Sequence, residues 1–295
     1  MYKKVIHEEH DGMLIRQFLK QEMSFSKNLI KQAKSEEGMI AINGEKKTVR
    51  YVLKAGDELT VTLPNERKQS QLTGQYLPLN IIFEDDHIIV LNKPAGIPVI
   101  PSRLYPRETI ANGLIYYYEK KQLPYTVHIV TRLDKDTSGL MLIAKHRQAH
   151  YLLSEQLKKE KVTRKYKALV HGRLAKESDR VCAPIGRKEG SFIEREVNEA
   201  GKVAITQYKV LSVYDDLYSL VLFQLETGRT HQIRVHASYI GHPLLGDNVY
   251  GGSTNLMRRQ ALHCHMLTFT HPIDQEEMTF DIPLASDMEE LMTSC

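Results

Sequence analysis

The chain contains no tryptophan. Stacking on a flat ligand would have to come from Tyr, Phe, His or Arg. Its 3 cysteines, Cys182, Cys264 and Cys295, are far apart and show no CxxC spacing. That argues against a disulfide scaffold and suits free thiols in a reducing compartment. No apolar run approaches the length that spans a bilayer, and the first ten residues lack the apolar centre of a signal peptide. The expectation is a cytoplasmic protein with no membrane partner. No Gly-rich motif that would cradle a dinucleotide or a phosphate is present. Charge of one sign is not abundant either. A net charge of +4 permits a polyanionic partner without demonstrating one.

The 295 residues, 42% apolar and 26% charged, are ordinary globular composition and leave room for one large domain or two. Residues 1–65 read as a small module. Asp11 is an N-cap candidate for a helix carrying Leu14, Phe18 and Leu19 at helical spacing. A second helix over 24–34 packs Leu29, Ile30 and Ala33 inward and leaves Lys27, Lys31 and Lys34 as a basic stripe. Asn43-Gly44 after Met39–Ile42 is a hairpin signal. Residues 66–76 are polar and unpatterned, which is linker composition. The second unit, 77–295, alternates short β-rich runs with fewer helices. Helices are expected over Thr109–Lys121, with Ile110, Leu114 and Tyr117 inward, over Gln148–Lys161, and over Asp287–Leu291. The fold class this implies is α+β.

The stretch Thr131-Arg132-Leu133-Asp134-Lys135-Asp136-Thr137-Ser138-Gly139 directly precedes the apolar run Leu140–Ala144. Loops at strand ends are where sites are usually built. In extended backbone Arg132 and Asp134 share one side and Leu133 faces the core. A carboxylate beside a guanidinium stays ionised below neutral pH, so Asp134 could serve as a nucleophile or charge stabiliser. An Arg-x-Asp triplet alone is more often a salt-bridged turn.

The whole run resembles the Arg-Leu-Asp signature of the RluA/RluD family of RNA pseudouridine synthases. The likeness extends to Lys93-Pro94-Ala95-Gly96, to Lys165-Tyr166-Lys167-Ala168 inside a strand, to Glu226–His236 and to Gly241–Asp247. Two departures are visible: Thr131 stands where the family commonly has His, and Ile100 precedes Pro101 where the family pattern has His-Pro. The resemblance implies a large mixed-sheet catalytic domain with Asp134 catalytic. It also implies Arg234 paired to that carboxylate, Tyr166 packed on the base, Ile233 lining the pocket, and Arg132 at the vacated base position or on a phosphate. The basic helices, the Ile-Asn-Gly turn and the late Gly56-Asp57 resemble an S4 RNA-binding domain. Lysines of that kind add affinity rather than sequence choice.

Pseudouridine formation breaks the bond from ribose C1′ to uracil N1 and joins C1′ to C5, with no net redox change and no group added. One carboxylate is needed where a glycosidase needs two. Attack at C1′, addition at C6 and glycal-type elimination all remain open. No metal and no cofactor are expected, and the protein is expected to be a monomer. The RNA partner is expected to be large-subunit (23S-type) ribosomal RNA, with tRNA as runner-up. The target uridine must leave its stack. Two other classes compete. One is a non-catalytic RNA-binding protein on the same fold. The other is a metal hydrolase using His231, His236, His263 and His265, although no pair of these has a recognised zinc spacing.

Overall fold

The computed structural model describes residues 1–64 and 72–293. Residues 66–71 of the expected linker, and Cys295, lie outside the described residues. Residues 1–62 build a four-stranded antiparallel sheet in the order β1-β4-β2-β3, from Tyr2–Val5 (β1), Met39–Ile42 (β2), Glu45–Lys46 (β3) and Glu58–Thr62 (β4). Two short helices, Ile15–Gln21 (α1) and Lys27–Ala33 (α2), cover it. Ile15, Phe18, Leu19, Leu29, Ile40 and Leu59 form its separate core.

Ser26, not the residues before it, caps α2 by accepting from the Leu29 N–H at 3.1 Å. The N-cap of α1 is Leu14 rather than Asp11. Asp11 instead accepts from the Ala55 N–H at 2.8 Å, because the preceding turn carries it away from the helix start. The Asn43-Gly44 turn has positive φ at both residues, 52° and 85°, as a two-residue hairpin requires.

The second unit is organised on a ten-stranded mixed sheet. Its strands include Ile81–Glu84 (β5), Ile88–Lys93 (β6), His128–Ile129 (β7), Ser138–Ala144 (β8), Thr163–His171 (β9) and Ser178–Cys182 (β10). A separate two-stranded ribbon, Ile185–Arg187 (β11) and Arg195–Val197 (β12), follows. Ile205–Tyr214 (β13), Tyr218–Leu225 (β14), Leu262–Thr270 (β15) and Glu277–Asp281 (β16) complete the large sheet. Its main path runs β10-β13-β14-β9-β15-β8-β6-β5. Among the described residues the pairing of β15 with β8 is parallel and the other strand pairs of this sheet are antiparallel. Strand β8 is buried along its whole length, which is why it reads as an unbroken apolar run rather than an alternation. Full burial of Leu140, Leu142 and Ile143 stabilises the sheet by roughly 1.5–3 kcal/mol each.

The helices are Ile110–Lys120 (α3), Arg147–Lys158 (α4), Gln232–Tyr239 (α5) and Ser286–Thr293 (α6). In α3 the buried tyrosine is Tyr118. Tyr117, expected inward, sits one position round the helix and bonds Glu84 at the margin of the core. The end of the expected linker is docked rather than loose: Asn112 donates to the Thr73 carbonyl at 2.8 Å. Two bonds tie the small unit to α4, Arg147 Nη1 to Gln32 Oε1 at 2.7 Å and Gln148 Nε2 to the Met23 carbonyl at 3.1 Å. Among the described residues no helix is long and apolar enough to cross a membrane.

Candidate active site

Asp134 lies in the loop that leads from β7 into β8. That loop is held at three successive residues. Lys93 Nζ donates to Lys135 O at 2.8 Å, Arg259 Nη1 donates to Asp136 O at 3.2 Å, and Gln260 Nε2 bonds Thr137 Oγ1 at 3.3 Å. Thr131 is buried and accepts from the Leu142 N–H at 2.8 Å, so it anchors the loop to β8 at the wall of the cleft. Gly139 has φ +112°, and a Cβ there would stand 2.3 Å from the Cys264 carbonyl oxygen. Only glycine permits so close a crossing of β8 and β15.

Lys93 is completely buried and also donates to Pro94 O at 2.7 Å and Ile97 O at 2.9 Å. Burial pulls its pKa down to about 7, against Asp136 and Asp134. Three carbonyl acceptors use all three N–H groups of an ammonium and favour the charged form. One buried cation thereby joins the Lys-Pro-Ala-Gly turn to the Asp134 loop.

Arg234 enters from the first turns of α5. Its Nη1 donates to Asp134 Oδ2 at 3.2 Å. Its Nε and Nη2 bond the two oxygens of Asp247 at 2.7 and 2.8 Å. Burial opposes the charge on Arg234, but the hydrogen bond and charge of Asp247, reinforced by Asp134, hold its pKa above the ordinary arginine value. The Tyr250 ring lies under the guanidinium, 4.9 Å from centroid to Cζ. Buried Gln232 fixes the start of α5: Oε1 accepts from the Arg229 N–H at 2.9 Å, and Nε2 donates to Ile205 O at 2.9 Å. That orientation turns Ile233 and Arg234 toward the loop.

A cleft of about 750 Å³ opens above this group. Arg132, Asp134, Tyr166, Ile233 and Arg234 all line it, and the fold thus brings together the five site residues expected from sequence in the second unit. Arg132 is exposed, Leu133 and Ile233 are buried, and Asp134 is 28% exposed at its side chain. Tyr166, on β9, is buried against Cys264. Burial pushes the Tyr166 hydroxyl above the ordinary tyrosine range and the Cys264 thiol up to about 12. Lys27, Lys31 and Lys34 are exposed on the small unit and do not line the cleft.

The four histidines weighed for a metal do not converge. His231 faces the cleft. His236 is saturated by Thr206 Oγ1 and Ala183 O at 2.8 and 2.9 Å. His263 bonds Ser138 Oγ at 2.9 Å, and His265 faces Asp281 at 3.4 Å. Among the described residues no three His, Cys, Asp or Glu side chains form a cluster able to hold a metal ion.

A loop carboxylate joined to a clamped arginine, with a buried tyrosine in the same cleft, is the arrangement implied by the family resemblance. The family model described as RNA pseudouridylate synthase matches residues 87–239. The chain belongs to this family, on its RluA/RluD branch. It is 50% identical over 271 residues to the uncharacterised RNA pseudouridine synthase YjbO of Bacillus subtilis, covering 92% of this chain and 95% of that protein. It is 41% identical to ribosomal large subunit pseudouridine synthase D of Vibrio cholerae, covering 86% of this chain and 82% of that one. Among solved structures, human RNA pseudouridylate synthase domain containing 1 superposes with a TM-score of 0.59 at 26% identity, covering 75% of this chain and 96% of that chain.

Sequence reading gave no role to Asp247, Tyr250 or Arg259. Asp247 had a signal: it follows Gly246, whose Cβ would stand 1.9 Å from the Arg259 carbonyl oxygen, in a turn closed by Gly252. A Gly-x-rich turn shortly after a helical arginine is a place to look for its partner. Tyr250 and Arg259 come close to the site only through the fold, and no spacing announces them.

Proposed function

We propose that this synthase isomerises specific uridines of large-subunit ribosomal RNA, with Asp134 as its catalytic residue and with neither metal nor cofactor. The observation that carries the catalytic reading is the 3.2 Å bond from Arg234 to Asp134 at the wall of the cleft. Each of the three routes to pseudouridine begins with a carboxylate beside the reacting nucleotide. Arg234 orients that carboxylate and keeps a positive charge beside it. Ile233 excludes water, so the detached uracil is retained for rejoining through C5. Tyr166 packs on the base. Its hydroxyl is protonated, so any part it takes in removing the C5 proton needs a partner group. Arg132 holds the flipped nucleotide's place or a phosphate.

The rRNA assignment rests on relatives named ribosomal large subunit pseudouridine synthase D, at 38–41% identity. We assign residues 1–65 as an S4-like RNA-binding domain, 66–76 as linker and 77–295 as the catalytic domain. Lys27, Lys31 and Lys34 would add backbone affinity. A cytoplasmic location and a monomer suit that substrate. The test is to treat large-subunit rRNA from cells lacking the gene with purified protein and map pseudouridines. New pseudouridine at one or a few sites is expected, and none with Asp134→Asn. Conversion confined to tRNA would overturn the substrate; turnover by Asp134→Asn would overturn the catalytic assignment.

A further inference from the structure

His231 faces the cleft beside Asp134 from a constrained position. It occupies the left-handed position before α5, with φ 59° and ψ 19°. Few residues other than glycine sit there, and such strain tends to collect at working sites. Its side chain is only 12% exposed.

The neighbours of the ring favour one protonation pattern. Tyr250 Oη accepts from the Arg195 backbone N–H at 2.9 Å. With that N–H already on its oxygen, we assign the tyrosine's own hydrogen to His231 Nδ1, 2.8 Å away. An acceptor Nδ1 puts the ring proton on Nε2. Burial lowers the His231 pKa below the ordinary histidine value, against the pull of Asp134, so the neutral ring is the form present near neutral pH. Nε2 points toward Asp134 Oδ2 at 3.8 Å. That is too long for a direct hydrogen bond. The cleft therefore presents an N–H donor and a carboxylate acceptor side by side, neither satisfying the other.

A hydroxyl suits the space between them. A carbonyl oxygen can accept from the histidine but would meet the carboxylate with like partial charge. A hydroxyl can accept from Nε2–H and donate to Oδ2 at once. The hydroxyl next to C1′ in an RNA nucleotide is the ribose 2′-OH, which also distinguishes RNA from DNA. We propose that His231, held by Tyr250, binds the 2′-hydroxyl of the target nucleotide together with Asp134 and so sets the ribose in place for cleavage at C1′. This rests on Asp134 being the reacting carboxylate.

The test uses the full-length protein and a short RNA containing the uridine that wild type converts. Dissociation constants are measured for two versions of the product RNA, one with pseudouridine and one with 2′-deoxypseudouridine at that position. Wild type should prefer the 2′-hydroxyl form by about tenfold, the worth of one hydrogen bond of about 1.4 kcal/mol. His231→Ala should lose that preference. His231→Gln, whose amide nitrogen reaches the place of Nε2, should recover part of it and part of the single-turnover rate, while His231→Asn should not. A preference undiminished in His231→Ala, or none in wild type, would overturn the proposal. Dichroism spectra and RNA affinity for the 2′-deoxy form show whether His231→Ala is folded; if it is not, the Gln and Asn variants decide. Turnover by Asp134→Asn would instead remove the reading on which the proposal stands, and the proposal with it.

Discussion

Asp247 grips Arg234 with two hydrogen bonds of 2.7 and 2.8 Å, both shorter than the 3.2 Å bond that Arg234 extends to Asp134. The arginine belongs structurally to Asp247 and is lent to the loop carboxylate. Asp247 is 1% exposed and Arg234 6%. Removing one charge of such a pair leaves the other uncompensated in a low-dielectric site. Asp247→Asn should therefore lose about 3 kcal/mol of stability in denaturant titration. Single-turnover pseudouridine formation should fall at least as far as in Arg234→Lys. Wild-type stability in Asp247→Asn would contradict this.

Lys93 joins two loops through three carbonyls, so its loss should be felt at the site without contact to RNA. Lys93→Met preserves length and leaves the carbonyls of Pro94, Ile97 and Lys135 without this donor. An acceptor left unsatisfied costs up to roughly 1–3 kcal/mol where water cannot replace the donor, and less at the exposed Pro94. We expect a lower melting temperature and faster hydrogen exchange in the Asp134 loop, read by mass spectrometry. Exchange in the loop equal to wild type would show that the lysine does not hold it.

The protonated state of Tyr166 sets the shape of the pH–rate curve. Burial raises its pKa above the ordinary tyrosine value of about 10. Between pH 8 and 10 the rate should show no tenfold rise per unit from this group. Tyr166→Phe should keep RNA affinity within about threefold, because the ring remains, and slow turnover by about 100-fold if the hydroxyl takes part in proton transfer. A steep alkaline limb that disappears in Tyr166→Phe would mean that phenolate is the working form.

Stability in mild acid should carry the mark of His263. Burial, with the charge of Arg259, lowers its pKa to about 4 from 6.5. Between those values the unfolded chain binds a proton that the native protein does not, so native stability falls as pH drops from 6.5 toward 4. The contribution is on the order of 3 kcal/mol, complete above pH 6.5. His263→Asn should flatten the pH dependence of unfolding in that window relative to wild type. Parallel curves for the two proteins would refute the assignment.

Much of the architecture was readable because it depends on short-range rules. The apolar run of β8 announced a buried strand, and Asn43-Gly44 announced the hairpin of β2 and β3. The basic residues of α2 were exposed as their spacing required. Errors arose where neighbours compete. Asp11 had an alternative donor in Ala55 and did not cap α1. Tyr117 and Tyr118 are adjacent, and only packing against the sheet decided which was buried.

The sequence by itself determined the family, the α+β class, and the loop that carries Asp134, since those are patterns of residue type along the chain. It could not supply Asp247 as the second anchor of Arg234, Lys93 as the bond between two loops, or Tyr250 as the group that sets the His231 proton. Those relationships join positions separated by 13, 42 and 19 residues. Hydrogen-bond partners across such distances are chosen by burial and the path of the sheet, not by the residues on either side.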